Sequence, residues 1–523
     1  MNRKGILYFL VACLMSSLFL AGCSSNGSSD GEGASKTKTV VDKEDKTLKI
    51  AMGTDIVSFD IHNHNNTSTE AVHDNMFNYL FKKDAKGEIQ KELVEDYKQI
   101  DDVTVEMKLK EGVKFHNGDT LTSEDVKFTL ERVATDDTLK EYPNYKQIKE
   151  VQVVDDLTFK IITHKPEPSL LHRLSRLGSG MLPKKYIDEK GWDHFLNNPV
   201  GTGPFKFKEW VRDDKIVLTV FEDYYEGKVE EWDEVIFRVI PENSTRVSEL
   251  LTGGVDIAIN VPPTDWERVD KNDGTHMVSE TSNRNIMLTV RATEGYPTAD
   301  KKVREAIDYA IDDKALAENV LQGGAIPTRT RVGPNNFGHN PDLYNTFRYD
   351  VEKAKKLLKE AGKADGFEMT LHSPKGRYLQ DAEVVEMISG MLSAVGIKVN
   401  IEFMEWSNFV EMRTAKTNKD AYLIGLGNSM FDGAYSVDFY RAERFKGETD
   451  YKNDEIEKLL TESQVNMDPK SRAEQIQKIQ EIAAEDTAEI MLYQEKINNG
   501  VNDRIDFKPT ADEMIYAPSI SRK

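Results

Sequence analysis

Residues 350–405 read DVEKAKKLLKEAGKADGFEMTLHSPKGRYLQDAEVVEMISGMLSAVGIKVNIEFME, and this stretch decides the fold class. Asp350 has the short acceptor side chain of a helix N-cap. Ala354, Leu357, Leu358 and Ala361 recur at helical spacing behind it, and Gly362 supplies the stop. A strand is expected over 367–372. Val384, Val385, Ile388, Met391, Leu392 and Val395 form a second apolar stripe ended by Gly396, and Val399, Ile401 and Phe403 then alternate as a strand. Carried on to 425, the order is helix, strand, helix, strand, loop, strand. That order is the signature of α/β crossover units.

Working outward, Thr122-Ser123-Glu124-Asp125 resembles a capping box that opens a helix through Val133. Val303, Ala306, Ile307, Ala310 and Ile311 mark another helix, and Asp468-Pro469 is an N-cap and first-turn pair for one carrying Ile476, Ile479 and Ile482. Val105, Met107 and Leu109, then 216–220 and 286–290, read as strands. The region from 48 to 240 is richer in strands, and no repeat of 20–50 residues is present. The physical reading is two unequal α/β lobes.

Composition narrows the function. The chain has 523 residues, 69 basic and 90 acidic side chains, a balance of −21, and two cysteines. Its length suits two or more lobes, and its apolar and aromatic content is too high for a disordered chain. The acidic balance disfavours nucleic-acid phosphates as partners. Two cysteines make neither a disulfide scaffold nor a Cys-rich metal site.

The first residues set the compartment. Arg3 and Lys4 precede an apolar run from Ile6 to Ala21, which closes with Leu20-Ala21-Gly22-Cys23. This is the layout of a secretory leader, and the run is short for a spanning helix. Leu-Ala-Gly-Cys matches the bacterial lipobox, which makes Cys23 the lipidated first residue of the mature chain and discards Cys13. Removing residues 1–22 takes Arg3 and Lys4 with it, so the balance moves from −21 to −23. Small, polar and charged residues after Cys23 read as a flexible tether. The expected location is the extracytoplasmic face of the cell membrane, on the periplasmic side if two membranes are present.

Catalytic motifs are missing from the folded body: no Gly-x-Ser-x-Gly, His-Glu-x-x-His or Walker loop occurs in residues 48–523. Gly201-Thr202-Gly203-Pro204 lacks the third glycine of a dinucleotide loop and reads as a rigid turn. His62 and His64, with His73 nearby, could ligate a metal, but their Asn-rich surroundings read as a surface or cleft-lining loop. No cofactor and no enzymatic activity are expected.

The chain resembles the family-5 extracellular solute-binding proteins of ABC importers, the peptide- and nickel-binding group, through a series of blocks in order. They are Glu111 to Asp119 with Leu121 to Val126, Asn198 to Phe205, Tyr224-Tyr225-Glu226-Gly227, Leu250 to Ala258, Val303 to Ile307 and Tyr349 to Ala354. The resemblance covers roughly residues 47–520. It implies a two-lobed periplasmic-binding-protein-like fold of type II, in the large peptide-binding subclass, with an extra subdomain in lobe one. The implied division is leader 1–22, lipidated tether 23–47, lobe one 48–284 with an insert at about 90–195, lobe two 285–496, and a return to lobe one over 497–523. The implied role is to capture an oligopeptide or dipeptide between the lobes and deliver it to a permease and, through it, to ATPase subunits. A monomer suits such a shuttle. Alternative cargoes are nickel or another metal chelate, a modified peptide, or another small solute.

Ligands of open α/β sheets sit beyond the carboxyl ends of strands, which selects the candidate binding residues. They are Asn65 in lobe one and Arg377, Tyr378, Trp406, Asn428, Phe431 and Asp432 in lobe two. Trp406, Tyr378 and Phe431 would supply apolar walls, and Arg377 would pair a ligand carboxylate. Many peptide-binding relatives carry a Gly-Trp-x-x-Asp pattern whose aspartate pairs the peptide's amino group. Here the stretch is Gly425-Leu426-Gly427-Asn428-Ser429, so Leu426 and Ser429 stand at the Trp and Asp positions. Asp432, three residues on, is the candidate replacement.

Overall fold

In the computed structural model, which describes residues 45–84 and 87–523, the crossover units around residue 350 form as helix Val351–Glu360, strand Phe367–Pro374, helix Asp381–Ser393, strand Ile397–Met404 and strand Ala421–Leu426. The leader and Cys23 lie outside the described residues. Asp350 accepts the Lys353 N–H at 2.9 Å, as an N-cap does. One segment differs from its reading: the expected loop after Met404 is a helix, Trp406–Ala415. Only Phe409 and Met412 of that helix are buried, so its apolar pattern is too sparse to register as a helical stripe.

These strands belong to one half of an eleven-stranded sheet. In that half, Phe367–Pro374 pairs in parallel with Ile397–Met404 and with Ala421–Leu426. In the other half, Thr47–Met52 pairs in parallel with Glu234–Val239 and Ile257–Ala258, and the antiparallel strands Lys215–Val220 and Phe205–Val211 extend the edge. The halves meet along two long antiparallel strands, Thr275–Val290 and Ile490–Asn502. Residues 275–281 pair with 496–502 and residues 285–288 with 490–494, and the register shifts between Thr281 and Asn285. A separate four-stranded sheet, built from strands between Val94 and Thr163, carries helix Ser123–Thr135 on one face.

Each part has its own core. Leu288, Ile307, Leu371, Ile388 and Leu423 close the half beyond the long strands. Ile50, Phe77, Phe205, Trp232 and Phe237 close the other, and the C-terminal residues Ile515, Ala517 and Ile520 complete that core. Asn75 fastens the return: its Nδ2 donates to Ile515 O at 2.8 Å, and its Oδ1 accepts from Ala517 N at 2.8 Å. Val105, Val126, Leu130 and Phe159 form the core of the four-stranded sheet.

The sequence blocks 111–119 and 198–205 interlock. His116 N–H donates to Gly201 O at 2.9 Å, and His116 Nε2 lies 3.0 Å from Gly203 O. Gly203 N–H in turn donates to Met76 O at 2.8 Å. The glycines are required by this approach: a Cβ at Gly201 would lie 2.0 Å from Met76 O, and one at Gly203 would lie 2.5 Å from Met76 C. Those contacts are backbone and cannot rotate away. Gly201→Ala or Gly203→Ala is therefore expected to destabilise the protein by about 2–4 kcal/mol, read as a lower urea midpoint with an unchanged slope.

Candidate functional site

A cavity of about 310 Å³ lies where strand ends from both halves of the sheet converge on the long strands. Met52 and Ile259 face it from one half, Arg377 and Trp406 from the other, and Arg284 and Asn499 from the long strands between them. The C-terminal segment Pro509–Ile515 closes the remaining side.

Arg377 is held by its loop. The Asp381 carboxylate accepts the N–H groups of Gly376, Arg377 and Tyr378 at 2.8, 2.8 and 3.0 Å, which fixes the turn leaving strand Phe367–Pro374. The guanidinium lies 5.0 Å from the Trp406 ring centroid and 5.4 Å from that of Tyr378, in cation–π range. Trp406 opens helix Trp406–Ala415, stacks on Phe409, and is 39% exposed toward the cavity rather than packed in the core. Tyr378 is buried behind it, edge-on at 6.2 Å, with its hydroxyl donating to Gly425 O at 3.2 Å.

The charges here are unequal. Arg284, in the register break, donates to Glu513 Oε1 from Nη2 at 2.7 Å and lies 3.7 Å from Glu495. Burial raises the Glu495 carboxyl, while Arg284 and the Leu379 N–H draw it back down. Arg377 has no carboxylate within ion-pair distance among the described residues, and neither does the neighbouring Lys375. The cavity thus presents one compensated and one uncompensated guanidinium, beside an aromatic face. Such a site accepts an anionic group with an adjoining apolar one.

The remaining candidates lie elsewhere. Asn65 is exposed, and its neighbour Asn66 lines the cavity while capping helix Thr67–His73. Asn428, Phe431 and Asp432 build a loop that docks across the lobes. The Asn428 side chain donates to Asp432 O and Ser436 Oγ, both at 3.0 Å. Phe431 adopts φ 56° and packs on Gly87, where a Cβ would lie 2.3 Å from the ring. Asp432 is fully buried. Its carboxylate accepts from Arg472 Nη2 at 2.8 Å and from Ser169 Oγ at 2.8 Å. Arg176 Nε reaches Ser429 Oγ at 2.9 Å, and His172 Nδ1 lies 2.8 Å from Met430 O. Burial pushes the Asp432 carboxyl up, but Arg472, His172 and the hydrogen bonds outweigh it and hold the group below the ordinary carboxylate range. In this arrangement Asp432 offers no free carboxylate to the cavity.

The histidines read as a surface or cleft-lining loop are in fact buried. Arg132 Nη1 lies 2.6 Å from His62 Nδ1 and 2.8 Å from Asp60 Oδ1, and His64 Nε2 is 3.2 Å from His73 Nδ1. Burial, then Arg132, pushes His62 down to about 3, and burial pushes His64 down to about 4. Neither lines the cavity, and among the described residues no group of three His, Cys, Asp or Glu side chains is placed to hold a metal ion. Sequence reasoning did not find Arg284 and Glu513. Arg284 had a signal, a lone cation entering the apolar run 286–290, whereas Glu513 had none.

The fold is two-lobed α/β, with a cavity lined from both halves of the large sheet. Residues 88–448 match the model of the bacterial extracellular solute-binding proteins, family 5, and the chain belongs to that family. It is 28% identical over 518 residues to the oligopeptide-binding protein AppA of Bacillus subtilis, covering 94% of each chain. It is 31% identical over 362 residues to the glutathione-binding protein GsiB of Salmonella paratyphi A, covering 69% of this chain and 70% of that one. Among solved structures, AppA in complex with a nonapeptide superposes with a TM-score of 0.78 at 24% identity, over 91% of this chain and 99% of that one. The substrate-binding protein CtaP of Listeria monocytogenes gives 0.81 at 21% identity, over 91% and 99%.

Asp432→Asn leaves Arg472 buried without its counter-charge and is expected to cost about 3–5 kcal/mol, measured by chemical denaturation at pH 7. The carboxyl ionises more readily in the folded protein than in the unfolded one. Its contribution is therefore complete above the ordinary value of about 3.9 and is lost as pH falls through the lower, folded value. The gap between wild type and Asp432→Asn should narrow over that acid range.

Proposed function

We propose that this protein captures peptides in the cavity between its lobes and delivers them to the permease of an ABC importer, whose ATPase subunits drive uptake. Arg377 carries the reading. An uncompensated guanidinium beside Trp406 suits a C-terminal carboxylate next to an apolar side chain, and family membership together with the oligopeptide-binding relative supports peptide as the cargo. At about 310 Å³ the cavity is at the small end of ligand sites, which run roughly 300–1,000 Å³, and fits a short peptide or the end of a longer one. Because its wall is shared between the lobes, a ligand binds best when they are together and shifts the population toward that state. Cys23 serves as the lipid attachment point, the residues after it as the tether, and the folded body works as a monomer outside the membrane.

Peptide pools at 100 times Kd should add about 2.7 kcal/mol of stability, seen as a rise in Tm. Arg377→Ala should weaken binding about 10–100-fold, in line with roughly 1.5–3 kcal/mol for a charged hydrogen bond, and leave the unliganded Tm unchanged. Amidating the peptide C-terminus should weaken binding to the wild type and have little effect on the variant. Absence of a shift with every pool would remove peptide as the cargo. For the anchor, Cys23→Ala should move the protein from the detergent phase to the aqueous phase in a detergent-partition experiment. An unchanged distribution would remove the lipidation reading.

A further inference from the structure

A second cavity, of about 740 Å³, opens where Pro143–Gln147 and His164–Arg173 meet Met430–Arg444 and the segment around Gln464. It shares no wall residue with the Arg377 cavity. Its walls bring cations together from two sides: Lys146, Lys165 and Arg173 from one, Arg441 and Arg444 from the other. The acids present do not balance them. Arg173 lies 3.4 Å from Glu167, and Arg441 and Arg444 share the single carboxylate of Asp438, each at 3.0 Å. Glu457 supports Arg441 at 3.2 Å, while Arg472 is committed to Asp432. Lys146 and Lys165 make no ion pair with any described residue, and Glu443 is the one wall acid left to set against them. Among the described residues, one buried donor of the wall, Arg441 Nη2, has neither a hydrogen-bond nor an ion-pair partner, and Arg173 Nε is held only by its long contact with Glu167. In a chain with a balance of −21, an excess of positive charge around a cavity with a spare buried donor has no account in solubility. Buried donors need acceptors.

We propose that this cavity is a second ligand site, for a small oxyanion whose carboxylate or phosphate oxygens sit between the cations of the two sides. Drawing those like charges together costs free energy, and an anion between them offsets it. Because both sides are needed for full coordination, the anion binds best when the two sides are together and so favours lobe closure independently of the Arg377 cavity. Peptide binding in the first cavity is not required for this.

The test titrates the full chain with sodium phosphate and, separately, sodium succinate, at ionic strength held constant with sodium chloride, by calorimetry and thermal shift. Saturable binding of at least one is expected; phosphate alone would identify a phosphate-bearing ligand and succinate alone a carboxylate. The double variant Lys146→Gln/Lys165→Gln, changed at two exposed side chains, should lose at least tenfold in anion affinity while its unliganded Tm is kept or rises. Arg377→Ala should keep anion affinity within twofold. The proposal is overturned by binding no stronger than chloride, by unchanged affinity in the double variant, or by loss of anion binding in Arg377→Ala, which would place the anion in the first cavity.

Discussion

The pairing of Thr275–Val290 with Ile490–Asn502 is the constraint on which the rest of the molecule depends. It is the one ladder that runs through both halves of the large sheet. It directs the ends of strands from each half at a common space and limits how the halves can move. Two hydrogen-bonded strands bend and twist, but they do not slide, because a one-residue slip turns every side chain to the opposite face. The register shift between Thr281 and Asn285 falls where Arg284 projects into the cavity. The irregularity of the ladder, the charge and the cavity therefore meet at one place. Glu513, which neutralises Arg284 there, comes from the C-terminal segment, so that segment holds the register shift as well as forming the wall.

Away from the cavity, the lobes touch through a small polar seam. Ser169, His172 and Arg176 meet Asp432, Met430 and Ser429 in turn. Two of these hydrogen bonds have a charged partner, for which about 1.5–3 kcal/mol each is typical, and the third contributes about 0.5–1.5 kcal/mol, so together they supply a closing bias of several kcal/mol. Moving a two-state equilibrium from 1:99 to 99:1 takes about 5.5 kcal/mol. The seam is thus comparable in size with that shift.

Much of the fold was legible because its elements carry complete local signals. The helix beginning at Asp350 has a cap, an apolar stripe and a stop, and the helix beginning at Pro469 has its Asp468 cap. The helix Trp406–Ala415 lacked such a stripe and was missed, although Trp406 itself was correctly placed beyond a strand end. The site divides along the same line. Arg377 follows a strand directly, so the rule that ligands gather at strand ends reached it. The loop 428–432 obeys the same rule in sequence, but its orientation is decided by Ser169, 263 residues away, and by Arg472, 40 residues away. The burial of His62 is likewise decided by Arg132, 70 residues away, which no local pattern links to it.

The return of the chain to its first lobe has a consequence for assembly in time. The core around Ile50 and Phe237 contains Val501, Ile515, Ala517 and Ile520, and the Trp232 indole donates to Ile520 O at 2.7 Å. During synthesis at about 5–20 residues per second, the N-terminal half waits for tens of seconds before its last core residues exist. Throughout that interval the lobe lacks its final strand and the Asn75 fastening. That core is therefore complete only once the end of the chain has been made.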